Sequence, residues 1–386
     1  MTARRATVAT LVAALLLVLP MPAAQADNIR DRQWALEVVG AQEAWKTTKG
    51  EGVTVAVLDT GVDAEHPDLR GAVLGGKDVV GFGAARGDAA WAKHGTAMAG
   101  IIAGRGHGPG RGNGVLGVAP EADVLPVRVL LEQDDPQRKK ARSTRAGALA
   151  EGIRWATDQG ADVINLSLGD DSASAEPDPK EDAAVRYALS KGVVVVASAG
   201  NGGEKGDPVS YPAAYPGVIA VTAVDRYGVR AAFSTRRWYA TVSAPGKSVV
   251  MADPDTRYYQ GWGTSVAAAM VSGTAALVRA AHPDLSPTQV RTLLADTADK
   301  TPAGGRSDAL GTGVVDAAAA LEVGASIEAE AQRPVAEPYA EKYFGSGPER
   351  TETSTAWLAP TAAALGALFV AVAVFLYRGT GGLRRY

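Results

Sequence analysis

The chain of 386 residues contains no cysteine and carries no excess of positive charge. The absence of cysteine excludes disulfide bonds, thiol nucleophiles and cysteine-ligated metal sites, and it leaves the redox compartment open. The formal net charge is -3, so the composition lacks the basic excess that is typical of proteins that bind DNA or RNA, and we expect no nucleic-acid partner. Histidine is also scarce, with four residues in the whole chain.

The N-terminus has the layout of a secretory signal peptide. Two arginines precede an apolar run over 8–19, and a small-residue site ends at Ala26. This order of charged, apolar and small-residue regions predicts a signal peptide over 1–26 that is cleaved after Ala26. The alternative is an anchor that stays uncleaved.

A second apolar stretch lies near the C-terminus, over 357–377. It contains no charged residue and is long enough to cross the hydrocarbon core of a bilayer. Arginines follow it in 378–386, so the positive-inside rule predicts a cytoplasmic tail. The Pro- and Glu-rich segment 325–356 is predicted to be a tether. Together these segments predict a single-pass protein of the cell membrane with its main domain outside; the alternative for 357–377 is a buried helix of a soluble fold.

Between the ends, strand-like runs rich in Val and Ile alternate with helical segments. Such runs are typical of parallel strands buried on both faces. The alternation predicts an α/β fold over 51–324, with a mainly parallel sheet flanked by helices on both faces, after an N-terminal extension over 27–50. One helix should begin with Ser286 as its N-cap. Two charged segments, 131–145 and 169–182, are predicted to be exposed loops.

The segment GTSVAAAMVSG places Ser265 just before an apolar run of helical length, 266–281. A helix that is apolar on all sides is normally buried. Ser265 at the N-terminus of such a helix can be an N-cap, whose hydroxyl accepts a backbone N–H. It can also be a nucleophile whose oxyanion meets the positive end of the helix dipole. The second hypothesis requires a base elsewhere in the chain, and an acid to orient it.

Three further polar residues stand at strand ends or helix starts. Asp59 ends the run VTVAVLD, His94 precedes a second small-residue helix, and Asn201 follows VVVVASAG. In parallel sheets, such groups converge at the carboxyl ends of the strands. A serine nucleophile needs an imidazole base, the imidazole needs a carboxylate, and the tetrahedral intermediate needs an amide donor. Each of the four roles has one candidate: Ser265 as nucleophile, His94 as base, Asp59 as carboxylate and Asn201 as amide donor. The remaining histidines lie beside proline or glycine and are predicted to be loop residues: His66, His107 and His282.

The motifs around these four residues resemble the subtilisin-like serine proteases. The matching stretches are VAVLDTGVDAEHPDL around Asp59, HGTAMAGIIAG around His94, ASAGN at Asn201 and GTSVAAAMVSG at Ser265. The chain order Asp, His, Ser is also that of subtilisin. The resemblance covers about 34–320. It implies a subtilisin-like fold in which Asp59, His94 and Ser265 form the catalytic triad. It also implies that Asn201 donates to the oxyanion.

The resemblance further suggests how a peptide substrate binds. It implies that Ser167, Leu168 and Gly169 form an extended edge that pairs with the substrate backbone. Many subtilases carry a second histidine where Ala97 stands, and many carry a proline shortly after the catalytic serine, which is absent here. Neither residue carries a catalytic proton, so we still expect activity. No cofactor is expected, and no metal site is assigned because no acidic cluster has the spacing of calcium ligands.

Among subtilases, the chain looks most like the mycosins, membrane-anchored proteases associated with type VII secretion. The HGTA form of the histidine motif, the signal peptide, the Pro-rich tether and the C-terminal apolar stretch carry this resemblance. The segment 27–58 is shorter than a usual subtilase pro-domain, so we expect it to wrap the domain rather than inhibit it.

The expected function is therefore that of a membrane-anchored extracytoplasmic serine endopeptidase. Its partners would be protein or peptide substrates, the membrane, and a type VII secretion complex whose substrates or components it processes. The alternative is a non-catalytic structural subunit that stabilises a membrane secretion complex through an inherited protease fold.

Overall fold

The computed structural model describes residues 28–172 and 174–332, together with Gly366, 368–374 and Leu376 near the C-terminus. The chain divides into two compact units, Met1–Val335 and Ala336–Tyr386. Three segments predicted above lie wholly or largely outside the described residues: the signal peptide over 1–26, the tether over 325–356 and the tail over 378–386.

The first unit is built on a parallel sheet. Its strands, in chain order, are β1 (Thr54–Asp59), β2 (Lys77–Asp78), β3 (Arg105–His107), β4 (Asn113–Leu116), β5 (Asp123–Arg128), β6 (Val163–Leu166), β7 (Val194–Ser198), β8 (Ile219–Val224), β9 (Ala240–Pro245), β10 (Lys247–Ala252) and β11 (Tyr258–Trp262). Within the described residues, seven of these strands form one sheet in the order β2-β5-β1-β6-β7-β8-β9, and every neighbouring pair is parallel. The strands β3 with β4, and β10 with β11, form separate antiparallel pairs.

Helices cover both faces of this sheet. The α-helices of the unit are α1 (Trp34–Val38), α2 (Ala41–Ala44), α3 (Lys93–Ala103), α4 (Arg138–Thr144), α5 (Ala148–Asp158), α6 (Pro179–Ser190), α7 (Thr264–Ala281), α8 (Pro287–Asp296) and α9 (Ala317–Gly324). Consecutive strand residues point to opposite faces. Val57 packs in the core cluster that includes α3 and α7, whereas Leu58 packs beneath Gly152 of α5. The predicted α/β fold with helices on both faces is confirmed.

The helix α7 runs through the middle of the domain. It is the one described helix that is long and apolar enough to span a membrane, but most of it is buried inside the protein, as expected of a core helix. It begins at Thr264, so the predicted apolar run 266–281 is helical and Ser265 lies in its first turn. In the second unit, Gly366, 368–374 and Leu376 are helical and exposed; the remainder of the predicted membrane segment 357–377 lies outside the described residues.

Several local predictions differ from the structure. The charged segment 131–145, predicted to be an exposed loop, contains the helix α4, because Ala141 is buried against Val80 and Leu131. His107, predicted to be a loop residue, lies in β3 instead. His66 lies in a loop as predicted, but it is completely buried, and its Nδ1 accepts the backbone N–H of Asp68. The segments around Ala141 and His66 look polar in sequence, but tertiary contacts bury one side of each.

The two segments that flank the predicted peptidase domain contact it. In the extension, Leu36 is buried in the core and Trp45 Nε1 donates to the carbonyl of Val118 at 2.8 Å. The described start of the tether lies along α8, where Gln289 Nε2 donates to the carbonyl of Glu328 at 2.6 Å. Ser286 is the N-cap of α8 as predicted, and the structure shows that it forms a capping box with Gln289.

Candidate active site

Polar residues from four adjacent strands meet at one edge of the sheet. The strands β5, β1, β6 and β7 are neighbours and all end on the same side. Asp59 is the last residue of β1, Ser167 follows β6 and Asn201 follows β7. Glu132 lies in the segment after β5. The carboxyl edge of a parallel sheet thus gathers these side chains, as expected for this class of fold.

Asp59 and His94 are in direct contact. His94 Nδ1 lies 2.9 Å from each carboxylate oxygen of Asp59, and Asp59 is fully buried. The backbone N–H of Thr60 also donates to Asp59 Oδ1 at 2.7 Å. Gly95 makes this approach possible, because a Cβ there would overlap the carbonyl oxygen of Gly61 and lie 3.2 Å from the Cβ of Asp59. A glycine in the first turn of α3 therefore lets the helix rest against the end of β1.

The surroundings of His94 make its imidazole a stronger base than an ordinary histidine. Loss of hydration opposes the imidazolium, but the charge and hydrogen bond of Asp59 outweigh this effect and raise the pKa of His94 above 6.5. Glu132 adds to the rise in pKa, and Arg138 acts against it. About a third of the imidazole, 36%, remains exposed. The exposed part of the ring can therefore exchange a proton with a group bound beside it.

Ser265 does not cap its own helix. The N-cap position of α7 is Gly263, and no side chain caps this end. Ser265 Oγ instead donates to the carbonyl of Ser167 at 3.0 Å, and Ser167 Oγ donates to the carbonyl of Ser265 at 2.8 Å. No hydrogen bond joins Ser265 to His94 within the described residues. The N-cap hypothesis for Ser265 is wrong, because its hydroxyl accepts no backbone N–H of α7.

Asn201 is held by the residue that precedes Ser265. Its Oδ1 accepts the backbone N–H of Thr264 at 2.9 Å and the hydroxyl of Thr264 at 3.1 Å. These two donors identify the oxygen of the amide and fix its orientation. The amide Nδ2 has no hydrogen-bond partner in the part of the chain that the structure describes. Asn201 therefore presents a free donor beside the first turn of α7.

The segment Ser167–Gly169 follows β6 directly and leads towards the surface. Ser167 is buried, whereas Gly169 is exposed. Asp170, the next residue, forms an antiparallel bridge with Tyr211. The carbonyl of Leu168 accepts the hydroxyl of Ser198 at 3.3 Å. The segment therefore lies between a buried strand and a short bridge at the surface.

Sequence analysis does not identify two residues of the site, Thr60 and Glu132. Thr60 Oγ1 donates to Glu132 Oε1 at 2.7 Å, and the backbone N–H of His94 donates to the same oxygen at 2.7 Å. Thr60 follows Asp59 directly, so its position in the motif could have indicated it. Glu132 lies in a charged segment that looks like a solvated loop, and no sequence signal distinguishes it from its neighbours. Among the described residues, no group of three or more acidic or histidine side chains could hold a metal ion.

Comparisons with known proteins identify the family of this chain. The model of the Peptidase S8 (subtilase) family matches residues 50–313. Subtilisin DY of Bacillus licheniformis is 39% identical over 276 residues, which cover 71% of this chain and 92% of that protein. Thermitase of Thermoactinomyces vulgaris is 38% identical over 269 residues, covering 70% and 89% of the two chains.

Solved structures similar to this chain include proteins of type VII secretion systems. The crystal structure of MycP1 from Mycobacterium smegmatis is 30% identical, with a TM-score of 0.67, and the match covers 83% of this chain and 90% of that one. The MycP3 protease of the type VII (ESX-3) secretion system is 33% identical, with a TM-score of 0.62 and coverage of 79% and 90%. Because the family model spans more than half of the chain, and because these relatives share well over 30% identity with it over most of their own length, the chain belongs to the subtilases and is a serine endopeptidase.

Proposed function

We propose that Ser265 is the nucleophile of this peptidase, His94 its general base and Asp59 the group that orients His94. The observation that carries the proposal is the contact of His94 Nδ1 with both oxygens of buried Asp59 at 2.9 Å. This contact favours the tautomer with the proton on Nδ1, so the lone pair of Nε2 is free to accept a proton.

These roles define the proposed reaction. Ser265 Oγ turns from the carbonyl of Ser167 towards His94, transfers its proton to Nε2 and attacks the scissile carbonyl carbon. The imidazolium next gives this proton to the amide nitrogen, and the peptide bond breaks to leave an acyl-enzyme. A water molecule then gives a proton to His94 and attacks the acyl carbon, the imidazolium returns a proton to Ser265 Oγ as the acyl bond breaks, and the carboxylic acid is released.

Asn201 is proposed to stabilise the negative oxygen that develops in each addition step. Its amide oxygen is occupied by Thr264, so Nδ2 is the part of the side chain left to donate. The backbone N–H groups of the first turn of α7 add the positive end of a helix dipole. We propose that the substrate backbone pairs with the open edge of Ser167, Leu168 and Gly169, which places its carbonyl beside Ser265.

Chemical labelling tests these roles directly. The full chain in detergent, wild type against Ser265→Ala, is treated with a fluorophosphonate probe and with a library of peptides. We expect one labelled site and peptide cleavage in the wild type, and neither in Ser265→Ala. Equal labelling or cleavage in the two proteins would show that Ser265 is not the nucleophile.

We also propose that this peptidase is anchored in the cell membrane with its domain outside and that it acts on proteins of a type VII secretion system. The apolar segments 1–26 and 357–377 support the location, and the likeness to MycP1 and MycP3 supports the setting. In intact cells of the source organism, a protease added outside should cut the domain while the tail over 378–386 stays protected. A protected domain would contradict the topology.

Complementation separates the proteolytic role from the structural alternative. Cells that lack the chain receive the wild type, Ser265→Ala, or a version truncated before 357–377. Processing of secreted proteins that is lost with Ser265→Ala supports the peptidase role. Normal processing with Ser265→Ala, together with failed secretion after truncation, would favour a structural subunit.

A further inference from the structure

We propose that Glu132 is a positioning residue of this active site: it joins the first turn of α3 to the end of β1 and so fixes the imidazole of His94 against Asp59. This inference rests on the proposed role of His94 as the base. It concerns a residue that lies outside the four motifs of the family resemblance.

One oxygen of Glu132 connects the two elements that carry the acid and the base. Glu132 Oε1 accepts the backbone N–H of His94 and the hydroxyl of Thr60, both at 2.7 Å. Thr60 Oγ1 in turn accepts the backbone N–H of Gly95 at 3.1 Å. The carboxylate, the hydroxyl and the first turn of α3 therefore form a closed set of hydrogen bonds directly behind the His94–Asp59 pair.

The helix α3 depends on this external carboxylate because it has no cap of its own. Its N-cap position is Ala92, in a left-handed conformation with φ of 52°, and no side chain of the local sequence caps this end. The first backbone N–H groups of a helix lack partners within the helix. Glu132 supplies an acceptor for one of them, and its negative charge lies at the positive end of the helix dipole.

The charge of Glu132 also acts on the imidazole itself. The charged groups that face His94 are Asp59 from β1, Glu132 from the segment after β5, and Arg138 from α4. The two carboxylates raise the pKa of His94, whereas Arg138 lowers it. Arg138 is itself held in place by a hydrogen bond to the carbonyl of Leu131, next to Glu132.

The charge of Glu132 also acts on Tyr259 of β11. Burial, followed by the charges of Asp253, Glu132 and Asp59, raises the pKa of Tyr259 to about 12. Glu132 is only partly exposed, and its two hydrogen bonds hold the carboxylate beside the His94–Asp59 pair. Loss of the charge of Glu132 should lower the pKa of His94. Loss of its acceptor oxygen should also leave the imidazole of His94 less firmly positioned against Asp59.

These two effects can be separated with two variants and a control. Glu132→Gln keeps an oxygen for the two hydrogen bonds and removes the charge, and Glu132→Ala removes both. Asp134→Asn is the control, because it removes the same charge from the same segment. Asp134 is 61% exposed and faces Lys93 at 3.6 Å rather than the site.

The full chain is tested in detergent by the pH profile of kcat/KM, by kcat and KM separately, and by thermal unfolding. In both Glu132 variants, the acid limb of the profile should move to lower pH. In Glu132→Ala, kcat should also fall by about ten- to a hundredfold with little change in KM, because the base is misplaced. Asp134→Asn should match the wild type in all three.

An unchanged acid limb in both Glu132 variants, or a wild-type kcat in Glu132→Ala, would overturn the positioning role. A lower melting temperature with unshifted profiles would do the same, since it would leave only a structural role. Failure of the proposed function itself would look different, because the wild type would then be inactive or insensitive to Ser265→Ala.

Discussion

His94 Nδ1 lies at the same distance, 2.9 Å, from both carboxylate oxygens of Asp59. The ring N–H therefore points between the two oxygens, and the carboxylate shares it. Because a carboxylate only accepts hydrogen bonds, Nδ1 must carry the proton in the neutral ring. This assigns the tautomer from the partner of the ring rather than from an observed hydrogen.

This contact predicts the pH dependence of the enzyme. A base must be neutral, and Asp59 and Glu132 raise the pKa of His94 above 6.5 in spite of its desolvation. The rate kcat/KM should therefore increase with pH through a single ionisation whose midpoint lies above that value. The measurement is a profile of kcat/KM in buffers of constant ionic strength.

The variant His94→Ala serves as the control for this profile. It should lose activity by several orders of magnitude while its melting temperature changes little, and any residual rate should lack the ionisation. A midpoint below the ordinary histidine value, or a wild-type rate independent of pH, would contradict the assignment of the base.

A second prediction concerns the free amide nitrogen of Asn201. The variant Asn201→Asp keeps an oxygen for the two hydrogen bonds from Thr264 but removes the Nδ2 donor. We expect kcat to fall by about a hundredfold or more, with KM little changed, as for the loss of an oxyanion donor. Asn201→Ala should lose a similar factor in kcat and also destabilise the start of α7. Wild-type kcat in Asn201→Asp would remove Asn201 from the site.

The sequence predicts the sheet and the four principal site residues because both leave local patterns. Buried parallel strands are continuous apolar runs, and the polar residue that ends such a run is easy to see, as at Asp59. Glu132 leaves no such pattern, since its role depends on where α3 begins. The sequence suggests a helix that follows His94, whereas α3 begins at Lys93.

Burial of polar segments is the other feature that sequence cannot supply. His66 stands in EHPDL and looks like a turn residue, yet it is fully buried, and burial lowers its pKa. The rotamer of Ser265 is also set by tertiary contact, because its hydroxyl meets the carbonyl of Ser167, which is distant in the chain. Local sequence propensity predicts neither the burial of His66 nor the hydrogen bond from Ser265 to Ser167.

A third prediction tests the close approach of α3 to β1. In Gly95→Ala, the new Cβ would overlap the carbonyl oxygen of Gly61, which is backbone and cannot turn away. The helix must then move from Asp59, so we expect a loss of about 1–3 kcal/mol in the free energy of unfolding and a large loss of kcat. Denaturant unfolding and steady-state kinetics measure the two effects.

The matched control is Gly147→Ala, at the start of α5. No atom lies within 4 Å of a Cβ at Gly147, and its φ of -85° suits any residue. Because alanine is a poorer N-cap than glycine, this variant should lose no more than about 1 kcal/mol in the free energy of unfolding, with unchanged kcat. If Gly95→Ala behaved in the same way, the proposed contact would not limit the position of His94.

The last prediction concerns Glu181, whose partly buried carboxyl group lies in the first turn of α6. Tyr215, which is buried, donates its hydroxyl to Glu181 Oε2 at 3.3 Å. Burial, with the charges of Asp178 and Asp170, raises the pKa of Glu181 from 4.5 to about 7. The folded state therefore binds a proton on Glu181 more tightly than the unfolded chain does.

The sign of the effect on stability follows from this difference. The stabilising contribution of the protonated carboxyl is complete below about pH 4.5, and it is lost as the pH rises through about 7. The variant Glu181→Gln stays neutral and can still accept the hydroxyl of Tyr215. It should therefore exceed its parent in the free energy of unfolding by an amount of the order of 1–3 kcal/mol at pH 8, and by little at pH 4.5.

Urea unfolding in a Ser265→Ala background, which prevents self-digestion, measures both values. The exposed Glu322→Gln should show no such difference between the two pH values. Equal effects of Glu181→Gln at both pH values, or destabilisation at pH 8, would contradict a raised pKa of Glu181 in the folded protein.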